Sequence, residues 1–361
     1  MKICFYLAHP AHFHLFKNVI NKLQKNHEVL ILYNEKDVLG HLVNTEKSFT
    51  AIKIKTNKVG NSFTSLIRQF IQKNIGTYKA LKKYKPDLVM GTPILVSIIG
   101  VFLRYKSIIV NEDDFDIVKL TANFGYPFAD HIICPEVIRK GKYEKKCITY
   151  QGYHELAYLH PEHFTPNSDI AATYVDLDKP YFLIRFAKLT AHHDVNIRGI
   201  DSKIAATLIE ELKPHGNVYI TSERPLEEEF EQYRIAVDPI NMHHVMAFST
   251  LYIGDSQTMA AEAGVLGVPF IRYNDFVGRI SYLDELENKY KLGYGIKPDS
   301  PQKLIDKTDE LLSDKNLSIR QAEKRERMLS EKINVADFLV WFVNNYPGSL
   351  EMEYNTANRE L

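Results

Sequence analysis

Three histidines stand within six residues near the start of the chain, at His9, His12 and His14. They follow a short apolar run that predicts a buried strand over residues 3–7, and they precede a helical pattern. Ligands of parallel α/β proteins bind at the carboxyl ends of strands, and histidine exchanges a proton near neutral pH. The loop therefore predicts an acid–base site. A packed structural histidine and a metal site are the alternatives, and we expect no metal because no carboxylate or cysteine accompanies the histidines.

A second chemical signal lies in residues 251–272, LYIGDSQTMAAEAGVLGVPFIR, which predict a strand, a polar turn, a small-residue helix and another strand. The start of such a helix presents backbone N–H groups and the positive end of the helix dipole, which favour a phosphate. Ser256 and Thr258 would add hydroxyl donors, and the carboxylate of Glu262 would accept bonds from two ribose hydroxyls. An ordinary helix, capped by Ser256 and with Glu262 in solvent, is the alternative.

Polar side chains also follow other predicted strands. Arg185 lies near the end of the strand predicted over residues 181–186, and His193 follows that strand. The planar guanidinium suits a phosphate, and a plain surface loop is the alternative. Glu112 belongs to an acidic run after the strand predicted over residues 107–110, where it could bind a metal, take a proton or contact a sugar.

Residues 254–269 resemble the donor-binding stretch of GT-B-fold enzymes that use nucleotide sugars. In the non-hydrolysing UDP-N-acetylglucosamine 2-epimerases the corresponding run is TDSGG, then a Glu-Ala pair and LGKP; here it is GDSQT, a Glu-Ala pair and LGVP. The resemblance implies that Ser256 and Thr258 flank a diphosphate, that Glu262 holds the ribose, and that residues 238–248 pass the nucleobase. Two glycines of the epimerase run are glutamine and threonine here, which leaves less room for the diphosphate.

Two histidines, His243 and His244, lie in the stretch that would pass the nucleobase, and a structural role is the alternative for each. The substrate-binding residues that we expect are His14, Arg185, His193, His244, Asp255, Ser256, Gln257, Thr258 and Glu262.

The opening segment HPAHFHLFKNVI strongly resembles that of a family of predicted nucleotide-sugar-dependent glycosyltransferases of archaea and bacteria, still of unknown function. It resembles more loosely the glycine-histidine loop of the transferase that adds N-acetylglucosamine to lipid-linked muramyl peptide. On that resemblance His12 would deprotonate the acceptor, with His9 in support. Glu112 falls on an epimerase active-site glutamate, but Thr92 stands where another epimerase acid is expected. This favours transfer, because epimerisation needs acid–base groups on both faces of a sugar carbon. The catalytic residues that we expect are His12, His9 and Glu112.

Short apolar runs alternate with helical patterns along the chain, which is typical of parallel α/β units. We expect an α/β fold of two Rossmann-like domains facing a cleft, the GT-B architecture. Residues 1–150 would form the acceptor-side domain, residues 151–180 a linker, and residues 181–334 the nucleotide-sugar-binding domain. Residues 335–361 would form a C-terminal helix and tail that could pack back on the first domain. The patterns predict strands over residues 3–7, 29–33, 51–54, 87–90, 107–110, 131–134, 181–186, 217–221, 251–254 and 269–272, and helices over residues 13–25, 62–84, 94–104, 200–213, 257–266, 301–313, 317–331 and 335–345.

The chain has 361 residues, of which 45% are apolar and 25% charged, and this excludes a disordered, collagen-like or coiled-coil protein. Its three cysteines lie far apart and form neither a disulfide framework nor a metal knuckle, which favours a reducing setting. The N-terminus lacks the features of a signal peptide, and the longest apolar stretch, residues 88–102, is too short to span a membrane. We therefore expect a cytoplasmic protein.

The formal net charge is zero, yet residues 1–150 carry a net charge of +11 and the remainder a net charge of −11. Either the first half meets an anionic partner or the two halves attract each other. Residues 63–85 predict a helix with an apolar stripe and six basic residues, which could lie on an anionic membrane surface or form an ordinary core helix. Nucleic acid is not expected, because no recognised motif accompanies the basic residues.

These observations predict a glycosyltransferase that moves a sugar from a nucleotide diphosphate-sugar to a glycan- or lipid-linked acceptor, as in polysaccharide biosynthesis. A UDP-N-acetylglucosamine-type 2-epimerase is the alternative, and a nucleotide-sugar-binding protein without activity is a further one. No cofactor is expected, because a helix dipole and side chains can neutralise the diphosphate. The sugar, the base, the acceptor and the oligomeric state are left open by the sequence.

Overall fold

The computed structural model describes residues 1–35, 38–55, 63–187 and 198–354, and for residues 63–67 and 70 it describes the backbone alone. The chain divides into two compact units. Unit 1 consists of Met1–Tyr158 together with Ile333–Leu361, and unit 2 consists of Leu159–Lys332.

The sheet of unit 1 is parallel throughout. Within the described residues its strands are β1 (Lys2–Leu7), β2 (Glu28–Asn34), β3 (Ala51–Ile54), β4 (Leu88–Gly91), β5 (Lys106–Val110), β6 (His131–Pro135) and β7 (Cys147–Tyr150). Their order across the sheet is β3-β2-β1-β4-β5-β6-β7, so that β1 pairs with both β2 and β4. The central strands are almost continuously apolar, because a parallel sheet is covered on both faces.

Helices cover both faces of this sheet. They are α1 (Pro10–Leu23), α2 (Leu39–Thr45), α3 (Phe63–Tyr84), α4 (Ile94–Leu103) and α5 (Lys119–Phe124). The strand order reverses after β3, and right-handed crossovers therefore place α1 and α2 on one face and α3, α4 and α5 on the other. The packing agrees: Phe5 of β1 contacts Phe16 of α1, whereas the next residue, Tyr6, packs in the same cluster as Leu81 of α3 and Val96 of α4.

The sheet of unit 2 is also parallel, with the order β12-β11-β10-β8-β9. These strands are β8 (Tyr181–Phe186), β9 (Asn217–Ser222), β10 (Leu251–Gly254), β11 (Phe270–Tyr273) and β12 (Gly293–Ile296). The helices of unit 2 are α6 (Ser168–Ala171), α7 (Ser202–Leu212), α8 (Met242–Ala247), α9 (Gln257–Leu266), α10 (Ser281–Asp284), α11 (Pro301–Leu312) and α12 (Leu317–Glu331).

The two faces of this second sheet have different cores. On one face Ile184 and Ile253 pack with Leu208 of α7 and Leu304 of α11. On the other face α9 approaches the sheet closely, since a Cβ at Gly264 would lie 2.8 Å from the ring of Phe270. Each unit is therefore a helix–sheet–helix sandwich, which is the Rossmann-like arrangement.

The chain ends in unit 1 with α13 (Val335–Asn344), which packs on α1 through an ion pair between Lys22 and Asp337. Residues 151–158, from the segment expected as a linker, also belong to unit 1, where Asn18 of α1 donates to the Ala157 carbonyl at 2.9 Å. Residues 159–180 belong to unit 2. No helix among the described ranges combines the length and apolarity that crossing a bilayer demands.

The structure differs from the sequence prediction at the start of the first helix, at two edge strands, and at five short helices that were not predicted, which are α2, α5, α6, α8 and α10. The first helix begins at Pro10 rather than at residue 13, because His9 caps it. The strands β7 and β12 carry no predicted counterpart; both are four-residue edge strands, and two of the four residues of β12 are glycine.

Candidate functional site

The histidine segment that the sequence places in a loop is in fact the first turns of α1. His9 is the N-cap residue, with extended backbone, and its Nδ1 accepts the Ala11 N–H at 3.2 Å. Pro10 occupies the first helical position, where its missing N–H costs nothing. The ring of His9 is exposed, and its centroid lies 6.0 Å from that of His12.

His12 is held between two neighbouring strand ends. The Ala8 N–H donates to its Nδ1 at 3.1 Å, and the Thr92 hydroxyl oxygen lies 2.8 Å from Nε2 and 3.1 Å from Nδ1. A backbone N–H can only donate, so Nδ1 is an acceptor and the neutral ring carries its proton on Nε2. In this arrangement His12 offers an N–H at Nε2, and it takes up a proton only when the Ala8 contact to Nδ1 is released.

His14 does not share that environment. It is half-buried on α1, and its ring lies against Tyr158 with the ring centroids 5.3 Å apart. Its position is that of a packed histidine, which is the structural alternative raised by the sequence.

Glu112 follows β5, and its carboxylate lies against His154. Glu112 Oε2 accepts the His154 backbone N–H at 3.2 Å and lies 3.4 Å from Nδ1 of the ring. Burial lowers the pKa of His154 to about 4, an effect that the carboxylate of Asp113 offsets only in part, so the ring is neutral at physiological pH. No role was predicted for His154 from the sequence, although the segment Tyr150–Glu155 resembles the family of unknown function.

The strand order brings the unit 1 candidates to one edge. His12 follows β1, Thr92 follows β4 and Glu112 follows β5, and these three strands are neighbours in the sheet. Across the described parts of both units, no cluster of three or more histidine, cysteine or acidic side chains is arranged to hold a metal ion.

In unit 2 the turn before α9 has the predicted cap. Ser256 is the N-cap residue, and its Oγ accepts the Met259 N–H at 3.4 Å. Gln257 and Thr258 are half-buried in the first turn. The Met259 N–H is therefore capped, whereas the other N–H groups of a first helical turn have no acceptor within the helix and can bind an anion.

Asp255 points into the protein rather than away from it. Its carboxylate accepts the Ala187 N–H at 2.6 Å and the Ile200 N–H at 3.4 Å, and the side chain is completely buried. Burial raises the pKa of Asp255 to about 6, against the opposing effect of these hydrogen bonds. The Asp255 carboxylate therefore connects Ala187, which follows β8, with Ile200, which precedes α7, and it helps to hold these two segments of unit 2 in place.

Arg185 lies beside the same turn. It pairs in register with Gly254 of β10, and its guanidinium forms an ion pair with Glu223. A Cβ at Gly254 would lie 2.5 Å from the Tyr252 hydroxyl and 2.9 Å from Arg185 Cβ, so only glycine fits there. The expected residue His193 lies outside the described residues.

Glu262 is buried and paired, not solvated. His243 Nε2 lies 3.0 Å from Glu262 Oε1, and both side chains are less than a tenth exposed. The His244 Nδ1 instead accepts the Asn167 N–H at 3.1 Å, and its ring stacks on Phe164 at 4.8 Å. Burial lowers the pKa of His244. The partner of Glu262 is therefore the first histidine of the pair, whereas we expected the second to bind substrate.

A further buried ion pair was not predicted. Arg272, at the carboxyl half of β11, is completely buried and donates from Nε to Glu287 Oε1 at 2.8 Å. Within the described part of the chain, neither of its terminal nitrogens has a hydrogen-bond partner. Burial raises the pKa of Glu287, and the Arg272 charge opposes that rise.

Comparison with known proteins gives one family and a set of similar folds. A family model described as "Protein of unknown function (DUF354)" matches residues 1–285. No curated protein matches this chain by sequence.

Solved structures of low sequence identity share the fold over nearly the whole chain. The S. aureus MnaA–UDP complex is 13% identical with a TM-score of 0.67, covering 98% of this chain and 99% of that one. The UDP-GlcNAc 2-epimerase from Neisseria meningitidis bound to UDP-GlcNAc is 13% identical with a TM-score of 0.65, covering 97% and 100%. The calicheamicin glycosyltransferase CalG4 is 14% identical with a TM-score of 0.58, covering 96% and 98%. The expected fold, two Rossmann-like units of GT-B type, and the expected family of unknown function are confirmed.

Proposed function

From the premise that the chain belongs to the DUF354 family of proteins of unknown function, we propose that it is a nucleotide-sugar enzyme, and specifically a glycosyltransferase. Unit 2 would bind the nucleotide diphosphate-sugar, and unit 1 would supply the groups that act on a glycan- or lipid-linked acceptor. The observation that carries the proposal is the carboxyl edge of the unit 2 sheet, where α9 begins beside Arg185.

The diphosphate is assigned to the start of α9. The first turn, with Ser256 as its cap and Thr258 half-buried, presents N–H and hydroxyl donors. Arg185 is the second-last residue of the adjacent strand β8, where it pairs with Gly254 of β10. A guanidinium and a helix N-terminus at one strand edge stabilise the negative charge that develops on a leaving diphosphate.

The ribose is assigned to Glu262. A carboxylate accepts hydrogen bonds from two neighbouring hydroxyls, and a carboxylate held in one rotamer loses less entropy on binding. His243 supplies that restraint, since its Nε2–H reaches Glu262 Oε1. The relatives solved with UDP or UDP-GlcNAc support a uridine nucleotide as the first probe.

The transfer step needs one proton acceptor. The acceptor oxygen forms a bond to the anomeric carbon, the bond from that carbon to the diphosphate breaks, and the acceptor hydroxyl proton passes to His12. Thr92 would orient the ring, and protonation at Nδ1 requires that the Ala8 contact be released. Glu112 would contact the sugar or the acceptor from the neighbouring strand end.

A 2-epimerase is the second candidate, and Glu112 is the observation that favours it. The resemblance places an active-site glutamate of the epimerases there, and the structure holds this carboxylate at a strand end beside a neutral histidine. Thr92 argues against it, because the position expected to carry the opposing acid carries a hydroxyl that contacts His12.

The first experiment is a thermal-shift screen with UDP, GDP, UDP-GlcNAc and UDP-glucose, because a ligand that binds the folded state raises its melting temperature. Glu262→Gln is expected to weaken nucleotide affinity about tenfold or more, through loss of charge-assisted bonds. Glu323→Gln, which changes an exposed glutamate on α12, is the matched control. If no nucleotide stabilises the protein, or if both variants weaken binding equally, the donor site is wrong.

Product analysis then separates the activities. An epimerase converts the nucleotide sugar without an acceptor, a transferase releases nucleoside diphosphate only with an acceptor, and a binding protein does neither. His12→Gln keeps an N–H donor near Nε2 but removes the titratable lone pair, so turnover is expected to fall about a hundredfold or more with unchanged donor affinity. Full turnover in this variant would contradict the role of His12 as the base.

A further inference from the structure

The helical layer of unit 1 formed by α3, α4 and α5 exposes large apolar side chains. These helices lie on the same face of the sheet. Between 37% and 73% of each such side chain is exposed to solvent. They are Ile71, Ile75 and Tyr78 on α3, Val101 and Phe102 on α4, and Leu120, Phe124 and Phe128 on or just after α5. We call this set the apolar face.

The sequence of α4 is unusual for a helix with a solvent-exposed side. Its ten residues, ILVSIIGVFL, contain one polar side chain, Ser97, and that side chain is buried. A surface helix of a soluble domain ordinarily turns a polar stripe outward. In α4 the outward residues are Val101 and Phe102, the latter 73% exposed.

The apolar residues of α4 and α5 form one surface. Ser97 Oγ donates to the Gly125 carbonyl at 3.0 Å, which joins the two helices. Val101 and Phe128 line one cavity of about 540 Å³ together with Arg104 and with Lys106, whose ammonium is paired with Asp130 at 2.9 Å. The Lys146 ammonium donates to the carbonyls of residues 126, 127 and 129, and it therefore holds the turn that presents Phe128.

The three helices that carry the apolar face are basic. The sequences of α3, α4 and α5 contain no acidic residue. The exposed basic side chains on or next to these helices are Arg68, Lys79, Lys82, Lys83, Arg104 and Lys119. Lys82 lies over the ring of Tyr78, with its Nζ 5.8 Å from the ring centroid. Lysine and arginine beside exposed apolar residues can reach anionic headgroups while the apolar side chains enter the lipid.

We infer that the apolar face docks unit 1 on an anionic membrane surface. The charge of the three helices selects anionic lipid over a neutral bilayer, and the aromatic and aliphatic side chains add area that a purely electrostatic contact lacks. This extends the membrane contact expected of residues 63–85 to α4 and α5. The inference does not depend on the proposed function, although a surface held at lipid would suit a lipid-linked acceptor.

The test is sedimentation of the full chain with vesicles of phosphatidylcholine alone and with about 30% phosphatidylglycerol, at low and at high salt. Binding to the anionic vesicles at low salt is expected. The double variant Phe102→Ser with Phe124→Ser should weaken partitioning at least tenfold, because each phenylalanine loses its transfer into lipid. Arg104→Glu with Lys119→Glu should weaken it similarly and should reduce its dependence on salt, because the other basic residues of α3 remain.

Ile319→Ser is the matched control, since it removes an exposed apolar residue from α12 of unit 2. It is expected to leave vesicle binding unchanged, and circular dichroism verifies that all variants fold. Absence of binding to anionic vesicles overturns the inference, as does equal loss in the Ile319→Ser control. The inference is also overturned if the protein is a dimer in solution, the phenylalanine variant is a monomer, and neither binds vesicles. That result would assign the apolar face to contact with a second copy of the chain. Nucleotide binding is measured separately, so that a failure of the membrane inference can be distinguished from a failure of the proposed function.

Discussion

Replacing His154 by glutamine tests how unit 1 holds Glu112. The histidine ring is buried, it lies 3.4 Å from the Glu112 carboxylate, and burial lowers its pKa from 6.5 to about 4. In the unfolded chain the ring takes up a proton near pH 6.5, whereas the folded protein resists protonation until about pH 4. Because the pKa of His154 is lower in the folded protein than in the unfolded chain, the folded state is more stable above about pH 6.5. This part of the free energy of unfolding is lost as the pH falls toward 4.

The size of the effect follows from the two pKa values. The difference between a pKa of 6.5 and a pKa of about 4 corresponds to a change of about 3 kcal/mol in the free energy of unfolding between high and low pH. Between about pH 7.5 and about pH 5 the linkage amounts to about 2 kcal/mol. Because glutamine does not titrate, the free energy of unfolding of His154→Gln should fall by about 2 kcal/mol less than that of the wild type between these two pH values.

Urea unfolding followed by tryptophan fluorescence measures this directly. The chain has a single tryptophan, Trp341, which lies on α13 of unit 1 and therefore reports on the unit that holds His154. His41→Gln, which removes an exposed histidine from α2, is the matched control and should retain the wild-type loss. If the wild type and His154→Gln lose the same stability between the two pH values, the ring is not held neutral by burial and the account of the Glu112 site fails.

Three other predictions concern buried polar groups. Burial raises the pKa of Asp255 from 3.8 to about 6, so the stability gained from its protonated form is fully present below about pH 4 and is lost as the pH rises through 6. The free energy of unfolding of the wild type should therefore fall by about 3 kcal/mol between these pH values, and Asp255→Asn should not show this fall. Urea unfolding followed by far-ultraviolet circular dichroism measures the difference. Thr92→Val removes the hydroxyl beside His12 and should slow turnover about fivefold while the melting temperature hardly changes; equal activity would show that this contact is not used. Glu287→Ala leaves the Arg272 charge buried without its partner and should lower the free energy of unfolding in urea by about 3–5 kcal/mol. The double variant Arg272→Met with Glu287→Leu should recover most of this stability, because it removes both charges. An additive loss of stability in the double variant would contradict this prediction.

Local sequence was sufficient for most of the regular structure. The apolar runs over residues 181–186 and 251–254 coincide with β8 and β10, and the helix predicted over residues 257–266 coincides with α9. Ser256 caps that helix as its position before a small-residue run indicates. These features depend on neighbours within a few residues, and such interactions can be read directly from a sequence.

Short elements at the sheet edges were harder to predict. β12 pairs on one side only and contains two glycines, so its four residues carry little periodic signal. The first helix was predicted to begin too late, since the capping role of His9 depends on its backbone conformation and not on a residue type that ordinarily caps a helix.

The sequence by itself determined the alternation of strands and helices, the kinds of side chain at the strand ends, and the family resemblance. Only the tertiary structure decided how those side chains are paired: His12 with Thr92, Glu112 with His154, and Glu262 with His243. The partners lie between 19 and 80 residues apart along the chain. Each pairing depends on which strands and helices become neighbours in the fold and on which groups lose contact with water, and no local pattern of residues encodes either.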